Sequence, residues 1–149
     1  MKKSLSTITL IFLLIILSIN AILGGIGLIS DPSGKNLGFS TDMLDYGPFN
    51  NFFVPGLFLL IVFGVVPPII TYGLIKKPKN IFFEKINFYK EQHWSWSFSY
   101  YLGLLLIIWI NIESIIIQKY SMLQFITSTI GVVIILLINL NKTKSDYKK

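Results

Sequence analysis

The chain has 149 residues, of which 53% are hydrophobic and only 13% charged, with a formal net charge of +6. Soluble domains carry about twice that charged share, so the composition indicates a membrane protein. The absence of cysteine excludes disulfides, thiol chemistry and cysteine-ligated metals, and a single histidine cannot build a His-rich zinc site. We therefore expect no metal and no cofactor.

Four apolar runs, each close to the roughly 20 residues that an α-helix needs to cross a bilayer, dominate the sequence. Stretches such as residues 11–19 lack the apolar–polar alternation of a membrane barrel, so the runs are predicted to be helices. The first run could instead be a signal peptide cleaved after Ala21, but it is too long for one, and an uncleaved helix is preferred. We predict an all-α, integral membrane four-helix bundle forming a single transmembrane domain over residues 1–149, with helices at about 5–29, 55–75, 95–117 and 122–140.

Lysine placement predicts the orientation. One side of the predicted bundle carries Lys2, Lys3, Lys76, Lys77, Lys79, Lys85, Lys90, Lys142, Lys144, Lys148 and Lys149. The other side carries only Lys35 and Lys119, together with Asp31, Asp42 and Asp45. Both termini are therefore predicted to be cytoplasmic, with the lysines near anionic lipid headgroups rather than nucleic acid. The use of lysine without arginine, with abundant Ile and Asn, is typical of an AT-rich bacterial genome. We therefore predict a multi-pass protein of a bacterial plasma membrane.

The outer segment between the first two helices is predicted to be ordered. Residues 31–34 (Asp-Pro-Ser-Gly) are typical of a turn, and Ser40 or Thr41 could cap a short helical piece. The segment also contains three phenylalanines, which are too apolar for a free loop: Phe49, Phe52 and Phe53. We expect this loop to fold back onto the mouth of the bundle.

The inner segment 80–93 has helical amphipathicity and predicts a helix lying at the inner lipid interface. Its apolar face would carry Phe82, Phe83, Ile86, Tyr89 and His93. Its polar face would carry Glu84, Asn87 and Glu91.

Pro67 and Pro68 remove two backbone donors from the second helix, which predicts a kink or break near residues 65–69. The pair is a candidate hinge, as in transporters with broken helices. The alternative is a fixed bend that suits packing, and we favour that alternative.

Small and weakly polar residues line one face of each of the last two helices, and Gly103 and Gly131 fall at similar depth. This pattern favours a tight helix–helix interface. A second interpretation places Asn20, Asn111 and Gln124, with Gln118, around a polar pocket open to the outside.

Glu113 is the only acid inside an apolar run. It could bind a cation or relay a proton, or it could be an interfacial acid that reaches water or pairs with Lys119. Asp31 and Asp45 are predicted on the same side and complete the list of binding candidates. Three separate carboxylates are a weak signal for a metal, and no metal site is predicted.

Residues 93–96 (His-Trp-Ser-Trp) open the third helix. Tryptophan is enriched at headgroup depth, so His93, Trp94 and Trp96 are predicted to be interfacial anchors.

Several short motifs are spread over most of the chain: Gly24-Gly25, Asp31-Pro32-Ser33-Gly34, Leu37-Gly38, Pro48-Phe49, Val54-Pro55-Gly56-Leu57, His93-Trp94-Ser95-Trp96, Trp109-Ile110 and Gln124. Together they resemble a family of small, four-span bacterial membrane proteins of uncharacterised activity. The resemblance implies a four-helix fold and no particular activity. Such proteins tend to carry Gln where this chain has Glu113, which argues against an essential carboxylate.

No catalytic constellation stands out, and the leading hypothesis is a non-enzymatic binding or accessory membrane protein, acting as a homo-oligomer or with another membrane protein. The first alternative is transport of a small solute or lipid through the outer polar pocket. The second is an intramembrane enzyme acting on lipid.

Overall fold

The computed structural model describes residues 3–149, so Lys2 and its contribution to the predicted orientation lie outside it. The protein is all-helical, with 75% helix and no strand in the described part of the chain. The helices are α1 (Leu5–Ser30), α2 (Phe53–Lys76), α3 (Ile81–Lys85), α4 (Trp94–Ile117), α5 (Met122–Asn139) and α6 (Asn141–Asp146). Helices α1, α2, α4 and α5 are long and apolar enough to span a membrane, and each lies within two residues of its predicted bounds.

Glycines set the closest approaches between the long helices. A Cβ atom on Gly103 of α4 would lie 3.1 Å from the carbonyl oxygen of Gly131 on α5, and one on Gly131 would lie 3.0 Å from the Gly103 oxygen. The predicted tight interface between the last two helices is therefore confirmed. Gly25 of α1 and Gly56 of α2 make a second contact of this kind, with 2.9 Å between the Gly25 Cβ position and the Gly56 oxygen. Without a hydrophobic driving force between helices in lipid, such close packing stabilises the bundle.

The outward faces of the long helices are apolar, as a lipid-facing surface requires. Leu5 and Leu23 of α1 are exposed by 78% and 66%, and Leu136 of α5 is exposed by 61%. The interior contains a continuous apolar core from all four long helices, including Leu14, Phe63, Leu106 and Ile134.

The irregular part of α2 lies before the proline pair. Residues Leu59–Val65 form a π-helical segment, and regular α-helix resumes at Val66. The predicted irregularity at 65–69 is thus displaced toward the N-terminus, because a missing proline N–H leaves the carbonyl four residues earlier without its partner. For Pro68 that carbonyl belongs to Gly64, and the Ser18 hydroxyl of α1 donates to it at 2.6 Å.

Replacing Ser18 with alanine is expected to lower the free energy of unfolding by about 1–2 kcal/mol, because the buried Gly64 carbonyl would lose its donor. Ser99→Ala is the matched control. Ser99 is also buried, but it donates to the Ser95 carbonyl within its own helix at 2.8 Å. Unfolding in mixed micelles, followed by tryptophan fluorescence, measures both changes. Equal losses for the two variants would contradict a special role for the Ser18 bond.

Both ends of the described chain meet at one end of the bundle. The Lys3 ammonium donates to the Leu74 carbonyl oxygen at 2.7 Å, and the Tyr147 hydroxyl donates to the same oxygen at 2.6 Å. The last carbonyls of a helix have no partner within it, so these side chains complete the C-terminal end of α2. We call this end of the bundle the tail end and the opposite end, where residues 31–52 lie, the loop end.

The segment 80–93 differs from the predicted amphipathic helix. Only Ile81–Lys85 is helical, and Asn87, predicted on the polar face, is buried. Its amide donates to the Gln92 carbonyl at 2.8 Å, which folds the segment into a turn instead of a continuing helix.

The chain's last residues pack against this turn, where Lys149 pairs with Glu84. Burial alone would raise the pKa of Glu84, but hydrogen bonds from Lys149, Asn87 and the Trp94 amide together hold that pKa below its usual value.

Candidate functional site

A cavity of about 400 Å³ lies among the helices at the loop end. Most of its walls are apolar, and it receives side chains from α1, α2, α4, α5 and the loop. Its lining residues include Leu17, Asn20, Ala21, Leu59, Phe63, Leu106, Trp109, Glu113, Gln124 and Thr127. Ligand sites of small molecules are typically cavities of about 300–1,000 Å³ with mostly apolar walls and a few polar groups. The cavity has this character.

The loop 31–52 contributes further apolar walls to the cavity, among them Phe39, Leu44, Phe49 and Phe52. Phe52 and Leu44 are buried and form a second small core with Leu28 of α1. Phe49 and Phe52 thus lie against the bundle. Phe53 differs, because it begins α2 and is 43% exposed.

Local hydrogen bonds hold this loop in shape. The Asp31 carboxylate accepts from the Ser33 hydroxyl at 2.6 Å and from the Asn36 backbone N–H at 2.9 Å. These bonds lower the pKa of Asp31, the Ser33 bond most. Ser40 caps the short 3₁₀ turn Thr41–Leu44, as predicted. The Asp31 carboxylate therefore stabilises the loop, and its oxygens have little remaining capacity to accept hydrogen bonds from a ligand.

Three of the predicted binding residues meet in the cavity wall: Asn20, Glu113 and Gln124. Gln124 is buried, and its amide nitrogen lies 3.4 Å from a Glu113 carboxylate oxygen. The Gln124 side-chain oxygen accepts from the Ser121 amide at 2.6 Å, which completes a capping box at the start of α5. Gln124 is thus fixed by its own helix end and presents its nitrogen to Glu113.

The other three candidates do not join them. Asn111 is exposed, and its amide donates to the Ile107 carbonyl of its own helix at 2.7 Å. Asp31 and Asp45 are absent from the cavity wall, and the described residues contain no group of three or more His, Asp or Glu that could hold a metal ion. The suggested pairing of Glu113 with Lys119 does not occur, since the ion pair within residues 3–149 is Lys149–Glu84.

Two of the three predicted interfacial anchors, Trp94 and Trp96, lie inside the protein. Trp94 and Trp96 are exposed by only 1% and 2%. The Trp94 indole donates to the Pro78 carbonyl at 2.9 Å, and the Trp96 indole donates to the Ile138 carbonyl at 2.8 Å. The prediction of a headgroup belt is wrong for these two residues, because each indole N–H satisfies a backbone carbonyl of the protein instead of facing lipid.

His93 is the N-cap of α4, and its Nδ1 accepts from the Ser95 amide at 3.3 Å. Its Nε2 lies 3.1 Å from the Pro78 carbonyl oxygen, which can only accept, so Nε2 carries the proton. Burial lowers the pKa of His93. A neutral histidine that caps a helix at the tail end is structural and far from the cavity.

Comparisons with protein-family models, with curated proteins and with solved structures found no match to this chain. The resemblance to small four-span membrane proteins stays a prediction.

Proposed function

We propose that this protein is a non-enzymatic, multi-pass membrane protein that binds one small apolar or amphiphilic molecule in the loop-end cavity. The observation that carries the proposal is the cavity of about 400 Å³, whose apolar walls contain one acid–amide pair, Glu113 and Gln124. Apolar walls favour burial of a hydrocarbon chain, and a few polar groups orient the rest of the ligand.

The geometry of the cavity gives less support to the alternative of an intramembrane enzyme that acts on lipid. Hydrolysis or group transfer generally needs a nucleophile or a paired acid and base within hydrogen-bond reach. Glu113 has an amide as its polar neighbour, while the single histidine, His93, lies at the tail end.

Binding is tested by native mass spectrometry of the protein extracted from its membranes in mild detergent. We expect one retained amphiphile per chain, and we expect Leu106→Phe to reduce its occupancy by filling the cavity. Leu104→Phe is the matched control, since Leu104 lies on the same helix but is 39% exposed on the outer surface. Equal occupancy in both variants, or a chain that carries no amphiphile, would reject the proposal.

The tail end is proposed to face the cytoplasm of a bacterial cell, with lysines against anionic lipid headgroups. Cytoplasmic and periplasmic reporter fusions after Lys149 and within the loop, for example at Asn36, test this orientation. A periplasmic signal from the Lys149 fusion would reverse it.

Transport is the second candidate, and one observation favours it. Leu59 and Phe63 of the cavity wall belong to the π-helical segment of α2, next to the candidate hinge Pro67-Pro68. Such segments frequently occur at functional sites, and a change in this one would alter the cavity wall. Uptake of a retained amphiphile into vesicles containing the purified protein would distinguish transport from binding. A homo-oligomer or a membrane-protein partner is compatible with either function.

A further inference from the structure

Resting on the proposed function, we propose that the cavity selects an amphiphile with a cationic ammonium group on a single apolar chain, and that Glu113 is its counter-charge. The observation behind this inference is a single carboxylate, that of Glu113, in the wall of a cavity that is mostly apolar.

Among the described residues, 3–149, no lysine or histidine forms an ion pair with Glu113. Its side chain is half-buried, and its hydrogen bond is the long one from the neutral Gln124 amide, at 3.4 Å. The cavity wall contains no lysine, and the ion pair in the described part of the chain is at the opposite end, between Glu84 and Lys149. An ionised carboxylate in an apolar site is costly unless a cation pairs with it.

Two other polar side chains of the wall each use a donor within their own helix. The Asn20 amide donates to the Ile16 carbonyl at 2.9 Å, and the Thr127 hydroxyl donates to the Leu123 carbonyl at 2.8 Å. Glu113 is the one acid in the wall that the described residues form, so a ligand meets its carboxylate as the charged group of the site. Acceptors attract an ammonium group and repel a carboxylate or phosphate, so the site favours a cation over an anion.

The walls around Glu113 suit the rest of such a molecule. Phe49, Phe52 and Trp109 contribute aromatic surface, which favours an adjacent cation and also buries hydrocarbon. The volume of about 400 Å³ is at the small end for ligand cavities, which fits one chain better than the two chains of a phospholipid.

The test compares three probes that share one tail: dodecylammonium, dodecanol and dodecanoate. Each is titrated into the full-length protein in nanodiscs of phosphatidylcholine, with binding measured by native mass spectrometry. We expect dodecylammonium to bind at least about tenfold more tightly than the other two probes. Glu113→Gln should abolish this preference and keep dodecanol binding. The control Asp45→Asn, which neutralises an exposed acid outside the cavity wall, should leave all three affinities unchanged.

The outcomes separate the two proposals. Equal affinity of wild type for all three probes, or an unchanged ammonium preference in Glu113→Gln, overturns the ammonium proposal while leaving a cavity that binds chains. Failure of wild type to bind any probe overturns both proposals. If Glu113→Gln does not fold, the affinities of wild type for the three probes still decide whether the cavity prefers an ammonium group. Repeating the titration with added lysophosphatidylethanolamine, which carries an ammonium group and a single chain, tests the source of the ligand. Competition with dodecylammonium would indicate a lipid-derived ligand, and the absence of competition would indicate a free amine.

Discussion

Gly73→Leu is expected to lower the free energy of unfolding by about 3 kcal/mol, the largest loss for any single glycine of the long helices. Gly73 of α2 faces the start of α4 so closely that a Cβ atom would lie 2.3 Å from the Trp94 ring and 2.7 Å from the Ser95 Cβ. The ring cannot move aside cheaply, because Trp94 is 1% exposed and its indole is bonded to the Pro78 carbonyl.

Gly73→Ala should lose less, about 1–2 kcal/mol, since alanine adds one carbon and recovers some helix propensity. Gly24→Ala is the control: Gly24 also lies in a long helix, but its added Cβ would meet only the flexible tip of Leu59, at 3.2 Å. Unfolding of all three variants in mixed micelles, followed by circular dichroism at the helix band, gives the ranking. Wild-type stability for Gly73→Leu would mean that α2 and α4 do not pack at this contact.

Sequence patterns were sufficient to predict the four long helices and some of the polar residues that line the cavity. Apolar length alone located the four long helices, because in lipid a long apolar run has almost no alternative to helix. Polar residues in apolar runs also identified Asn20, Glu113 and Gln124, since each is conspicuous there. The apolar walls, such as Ala21, Leu106 and Trp109, carry no comparable signal, because an apolar residue facing a cavity and one facing lipid look alike in sequence.

The side-chain contacts at the tail end could not be predicted from the sequence, for a physical reason. The sequence suggested lysines and tryptophans at a lipid surface, whereas Lys3, Trp96 and Tyr147 donate to backbone carbonyls at the ends of helices. Every helix ends with carbonyls that lack partners, but which distant donor reaches them depends on the packing of the whole bundle. Separations of 42 to 73 residues between donor and acceptor lie beyond any local pattern.

Trp96→Ala is expected to destabilise the protein by about 3–5 kcal/mol, because it removes a fully buried tryptophan that joins the tail ends of α4 and α5. The Trp96 ring stacks parallel to that of Tyr100, with centroids 6.1 Å apart and an interplanar angle of 4°. Its indole donates to the Ile138 carbonyl, one of the last four of α5. An interfacial anchor that faced lipid would cost much less to remove, so the size of the loss distinguishes the two roles.

Trp96→Phe separates packing from hydrogen bonding. Phenylalanine keeps much of the apolar contact but leaves the Ile138 carbonyl without the indole donor, which should account for about 1–3 kcal/mol of the loss. Trp109→Phe is the matched control, since the half-buried Trp109 packs on the Phe58 ring with centroids 4.2 Å apart in the other half of α4. Unfolding in mixed micelles, followed by circular dichroism, avoids reliance on the altered tryptophans. If Trp96→Ala lowered the free energy of unfolding by less than about 1 kcal/mol, Trp96 would be an interfacial residue after all. Only a side chain outside the core can be truncated at so small a cost.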